Sequence, residues 1–211
     1  MNYTSQEQRN SYHVGNLSAQ LFSAARIMLE EVGSTKLSVR ALCARLGVTP
    51  TAAYHHFTNR AELLALLATQ GYLELAQALD NESAALPVED KIRSFCLTYL
   101  NFARLNPALY QLMFGPELAL DTMPESLREA RQLAFSKLEE MVADLLQQPI
   151  HTSDVRSAAL ASWSYIHGLT ALLQHKVLQL SSGVSDQQII ERTLAGFEVL
   201  FKAYTTSTRP V

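Results

Sequence analysis

The run Leu46-Gly47-Val48-Thr49-Pro50 constrains this chain more than any other stretch, because it joins two short helical patterns through the tightest of turns. Upstream, Ser38 is placed to cap a helix whose apolar face is Val39, Leu42, Cys43 and Leu46. Gly47 supplies the positive φ that ends it, and Val48 can plug the gap between the two helices. Thr49 then fits an N-cap and Pro50 the first helical position, where a missing N–H is harmless. Ala52 and Ala53 permit close packing, and Phe57 closes the unit as an apolar anchor. Asn59 and Glu62 stand at capping-box spacing before a long helix through Leu63, Leu64 and Leu67. The pattern predicts a helix-turn-helix, whose second helix has the size to enter the major groove of DNA.

A net charge of −3 over 211 residues looks wrong for such a unit until the chain is divided. Residues 1–60 carry Arg9, Arg26, Lys36, Arg40, Arg45 and Arg60 against Glu7, Glu30 and Glu31, a balance of +3. The remainder is −6, so a basic head on an acidic body is expected, and the local field steers encounter. Cys43 and Cys96 both lie in apolar helical contexts and read as buried thiols rather than a disulfide. The polar first residues resemble no signal peptide, and the uncharged stretch Ser157–His175 holds too many Ser, Thr and His residues for a membrane span. A cytoplasmic protein without membrane partners is expected.

Helical patterns run through the whole chain, with no strand-period alternation long enough for a sheet. Residues 1–16 read as a polar arm, and Leu17–Gly33 as a first helix with Leu21, Ala24, Ala25, Met28 and Leu29 inward. After the helix-turn-helix, helices are expected at Asn59–Asn81, Val88–Arg104, Pro107–Phe114, Pro124–Gln147, Ser153–Leu180 and Ser185–Tyr204, parted by Pro, Gly and Ser turns. The expected architecture is all-α with about nine helices. An N-terminal three-helix bundle (1–60, with the arm) precedes a larger antiparallel helical domain (61–211). Leu160, Leu169, Leu172, Leu173, Val177 and Leu180, with Ile189, Ile190, Leu194, Phe197, Leu200 and Phe201, offer more apolar face than one small domain covers. A homodimer through the last two helices would bury the surplus.

The segment from Leu17 to about Tyr72 resembles the DNA-binding part of the TetR family of bacterial transcriptional regulators. The matching residues are Leu17, Ala24-Ala25, Leu29 and Gly33, then Leu37-Ser38-Val39 and Leu42, Leu46-Gly47-Val48-Thr49, Tyr54, His56-Phe57, Asn59-Arg60 and Leu63. Thr51 stands where the family usually has a small residue, Ala53 where it often has a larger apolar one, and the recognition helix holds no Lys or Arg. By position, Thr49, Pro50, Thr51 and His55 occupy the leading end or outer side of that helix. Tyr54 matches a family position that commonly contacts phosphate. Lys36, Ser38, Arg40 and Arg60 are further phosphate candidates. His56 is expected in the core of the head, and His55-His56 form no metal pair, since adjacent side chains diverge on a helix.

The resemblance implies a helical C-terminal domain that dimerises and binds a small molecule. The string Trp163-Ser164-Tyr165-Ile166-His167-Gly168 is similar to the signature of a TetR C-terminal subfamily named for that Trp, His and Gly, and Asn106–Phe114 looks like its short middle helix. Two readings of Trp163, His167 and Gly168 stay open. They form a packing junction, or Trp163 and His167 line an effector pocket with Phe102, Tyr110, Met113 and Phe114. Such a lining suits a hydrophobic or aromatic effector with one polar group for His167. The function expected is a sequence-specific regulator, most simply a repressor on a near-palindromic double-stranded operator. The competing reading is a TetR-fold partner-binding protein without sequence-specific DNA binding. Nothing in the sequence suggests an enzyme, a metal or a cofactor, since nucleophile–base pairs, phosphate loops and ligand spacings are absent.

Overall fold

A computed structural model describes residues 17–83, 86–118, 123–178 and 183–207. Among them the regular structure is helical throughout. It comprises α1 Leu17–Val32, a 3-10 turn Ser34–Lys36, α2 Val39–Leu46, α3 Pro50–Tyr54, α4 Arg60–Ser83, α5 Val88–Leu105, α6 Pro107–Phe114, α7 Glu125–Leu146, α8 Ser153–Gln174 and α9 Asp186–Ser207. The expected arm over residues 1–16 and Leu180 lie outside the described residues.

The start signals act as their chemistry requires. The Ser38 hydroxyl accepts from Ala41 N at 3.2 Å and the Thr49 hydroxyl from Ala52 N at 3.3 Å. Gly47 takes φ 66°, the left-handed value that ends α2. The capping box before α4 forms with a shift. Asn59 Oδ1 accepts from Glu62 N at 2.9 Å, but the Glu62 carboxylate reaches past Asn59 to the Thr58 backbone N–H and hydroxyl.

Stop signals were less legible. Helix α8 ends at Gln174, not at Leu180, because Lys176 turns to φ 54°. Lys176 N then bonds Leu173 O and Val177 N bonds Leu172 O, closing the last turn in Schellman fashion. A lysine in that conformation gives no warning in a sequence, whereas Ser181-Ser182-Gly183 does. Helix α7 ends likewise at Leu146, where Gln147 follows at φ 51°.

Two compact units divide the chain, and the division differs from a cut after residue 60. The first holds residues 1–74 and 106–133, the second residues 75–105 and 134–211. Helices α4 and α7 each begin in the first unit and end in the second. The first unit retains α6 for a reason visible in its bonds. Both Glu30 carboxylate oxygens of α1 accept from the first free N–H groups of α6, Ala108 N at 2.9 Å and Leu109 N at 3.0 Å. Arg26, one turn earlier on α1, donates to Asn106 Oδ1 at 2.7 Å and to Glu74 at 3.2 Å. From α4, the buried Tyr72 hydroxyl donates to Met113 O at 2.6 Å. Leu21, Leu29, Leu42, Leu63, Leu67, Leu109 and Leu112 fill the core between these helices.

In the second unit α5 packs on α8 and α9. Its core is Phe95, Tyr99, Leu100 and Ala103 of α5 with Leu138 and Val142 of α7, Val155, Ala159 and Ile166 of α8, and Ile189 and Ile190 of α9. Cys43 in the first unit and Cys96 in the second are buried free thiols, and burial pushes the Cys96 thiol up to about 12. Among the described residues no helix is long and apolar enough to cross a membrane.

Candidate nucleic-acid interface and effector site

Ala53 at full burial and Phe57 fix the inner side of α3, and the short helix therefore turns its other residues outward. Thr49, Pro50, Thr51, Tyr54 and His55 are all exposed, so five of the expected DNA residues share one outer surface. None of them is Lys or Arg. His56 corrects its expectation: α3 ends at Tyr54, the chain leaves the helical track, and His56 is exposed rather than part of the core.

The cations of the head sort themselves by partner. The Arg60 guanidinium faces inward, donating from Nε to Leu37 O at 2.9 Å and from its terminal nitrogen to Ser34 O. It braces the 3-10 turn against α4. Arg45 pairs with Glu31, and Arg26 with Glu74. The Ser38 hydroxyl accepts at its cap and keeps its own proton for donation. Lys36 and Arg40, both exposed, are the cations of the described head that remain without an acid or carbonyl partner.

The six expected effector residues fall into both units. Tyr110, Met113 and Phe114 belong to the first, where Phe114 lies 4.7 Å from Tyr110 and edge-on to Tyr72 at 5.5 Å between ring centroids. Tyr110 and Met113 are buried there. Phe102, Trp163 and His167 belong to the second.

Tyr99, not foreseen from the sequence, is the hub of that second group. Trp163 Nε1 donates to the Tyr99 hydroxyl at 3.3 Å, and that hydroxyl lies 3.1 Å from His167 Nδ1. An indole nitrogen only donates, so the Tyr99 oxygen accepts from it, while the direction of the bond to Nδ1 follows the His167 tautomer. Burial favours the neutral imidazole by lowering the His167 pKa from its ordinary value. Phe135 packs on the indole at 5.4 Å. The signal for Tyr99 was a hydroxyl on the apolar stripe Phe95, Tyr99, Phe102, Ala103, since a buried phenol needs a partner.

Gly168 does not share this wall. At 100° per residue, Trp163, His167, Thr170 and Gln174 line one side of α8, and Gly168 stands about 140° away from Trp163, nearest Ala161, Ser164 and Leu172. A methyl group at Gly168 would meet no atom within 4 Å. Leu172 there is 41% exposed, and Leu160, about 60° from Trp163, is 55% exposed.

Comparison with known proteins agrees with this architecture. The model of bacterial regulatory proteins of the tetR family matches residues 21–74, and that of the tetracyclin repressor-like C-terminal domain matches residues 92–197, half of the chain. The HTH-type transcriptional regulator Rv1816 of Mycobacterium tuberculosis is 29% identical over 102 residues, covering 47% of this chain and 44% of its own. This chain thus spans under half the length of that relative. The nucleoid occlusion factor SlmA of Vibrio vulnificus is 26% identical over 143 residues, 63% of this chain and 68% of its own. A solved structure of a protein of unknown function from Rhodococcus sp. RHA1 superposes with a TM-score of 0.74 at 24% identity, over 86% of this chain and 93% of that one. The chain belongs to the TetR family of bacterial regulatory proteins.

Proposed function

We propose that the protein is a cytoplasmic, dimeric transcriptional regulator that binds a near-palindromic DNA operator through α3 and releases it when a small hydrophobic or aromatic effector enters the helical domain. The observation that carries the DNA reading is the outer surface of α3. Thr49, Pro50, Thr51, Tyr54 and His55 stand exposed on a helix whose inner side is locked by Ala53 and Phe57. Thr51 and His55, four residues apart, face the base edges, while Lys36, Ser38, Arg40 and Tyr54 serve the phosphates on either side. Arg60 acts from inside, holding the turn that carries Lys36.

The dimer is supported by the exposed side of α8 around Gly168 and by Val199 of α9, 68% exposed. The effector reading is supported by the Trp163–Tyr99–His167 chain, three polar tips gathered within an apolar unit. Regulation requires only that the effector bind the two spacings of the paired heads unequally. Helices α4 and α7, which contribute residues to both units, are the elements that would transmit the choice.

Selection of bound fragments from a random duplex pool by the purified protein tests the reading. An enriched two-fold motif with half-sites one helical turn or more apart is the expected result. A folded dimer that enriches nothing would overturn DNA recognition.

A further inference from the structure

Among the described residues Thr170 is the one wholly buried side chain outside the apolar, aromatic and cysteine classes, at 0% exposure. Its hydroxyl has no hydrogen-bond partner. An orphaned buried hydroxyl costs about 1–3 kcal/mol, so a chain that retains one either wastes stability or has a partner that comes from outside. The position favours the second case. Thr170 lies three residues after His167 and seven after Trp163, on the side of α8 that meets Tyr99 through both residues and Ala103 O through Gln174 Nε2 at 3.0 Å.

The charges of the same unit point to the kind of partner. Lys91 is paired with Asp144, Arg93 with Asp90 and Glu191, Arg104 with Asp186, and Lys137 with Asp80 and Glu140. Arg156, Lys176 and Arg192 are exposed. Among the described residues the cations of this unit are thus paired with acids or exposed, and the groups that meet at the Thr170 wall are phenol, indole, imidazole and hydroxyl, which suit an uncharged partner better than a carboxylate or phosphate.

We infer that the effector is uncharged at its buried end, presenting a hydroxyl or carbonyl on an aromatic or aliphatic body to the Thr170 hydroxyl beside His167 and Tyr99. This rests on the effector site proposed above and adds its chemical class.

Trp163 is the only tryptophan in the chain, so its fluorescence reports from the wall itself. The test titrates the purified full-length protein with 4-propylphenol and, separately, with 4-propylbenzoate at about pH 7.5, where the first is neutral and the second ionised. A saturable change with the phenol at least tenfold tighter than with the benzoate is expected. Thr170→Val should weaken the phenol about three- to tenfold, the loss of one hydrogen bond, and Thr170→Ser should restore it. Thr170→Val removes a buried unpaired group, so its melting temperature should equal or exceed that of the parent, which separates lost binding from lost fold. Benzoate binding as tight as phenol binding, or an unaltered phenol affinity in Thr170→Val, overturns the neutral class while leaving the effector site standing. No saturable response to either probe overturns the site and the class together.

Discussion

Residue by residue, the basic count of the head overstates what DNA can use. Six cations were legible in residues 1–60, but Arg26 is paired with Glu74, Arg45 with Glu31 at the surface, and Arg60 donates to two carbonyls. If Lys36 and Arg40 are the phosphate contacts of each protomer, a dimer makes about four, and log K against log salt should fall with a slope of about −4. Replacing Lys36 and Arg40 by Ala in turn should each make that slope shallower by about two per dimer. Arg60→Ala should leave the slope unchanged and instead lower unfolding free energy by about 2 kcal/mol in urea titration, because two charge-assisted hydrogen bonds to carbonyls are lost. His167 gives a pH signature of its own. Its folded pKa lies below the ordinary 6.5, so the unfolded chain takes up the proton first and stability falls with acidification. The contribution is complete above about pH 6.5, declines below it, and levels once the folded His167 also protonates. Melting temperatures at pH 7.5 and 5.5 should therefore diverge more in the parent than in His167→Gln.

Helices register a second layer of information, which glycines expose by contrast. Gly71 of α4 is buried under α6, and a Cβ there would stand 2.7 Å from Met113 Sδ and 2.8 Å from Leu109 Cδ2. Alanine would gain about 1 kcal/mol of helix propensity but force side chains of a filled core aside, typically costing about 1–3 kcal/mol. Gly71→Ala should thus destabilise by roughly 1 kcal/mol, measured by urea unfolding; a gain in stability would mean that α6 yields easily. Among the described residues the helices were legible because apolar spacing and the caps Ser38, Thr49 and Asn59 are local signals. The end of α8 was not, since Lys176 enters the left-handed region without a glycine to announce it. The place of α6 was not either. It follows from Glu30 and Arg26, some eighty residues earlier in the chain, meeting the start of that helix.

For the whole molecule, the exposed side of α8 is the feature that a single chain leaves unexplained. Gly168→Ala should raise the stability of an isolated protomer by about 1 kcal/mol, because the added methyl group meets nothing and helix propensity improves. If a second copy packs there, the same change should weaken the dimer, as sedimentation equilibrium would detect. Leu160→Glu should yield monomers that have lost operator binding; a dimer unchanged by it would place the two-fold contact elsewhere. The sequence by itself determined the helical class, the turn at Gly47, the outward residues of α3 and the apolar surplus of the last helices, because spacing, capping and φ preference act within a few residues. Only tertiary structure decided that Arg60 braces a turn, that His56 is exposed, that Tyr99 joins Trp163 to His167, and that Thr170 is buried without a partner. Those outcomes depend on which carbonyl, ring or hydroxyl a distant helix brings within about 3 Å, and hydrogen bonding at that range has no periodicity to read along a chain.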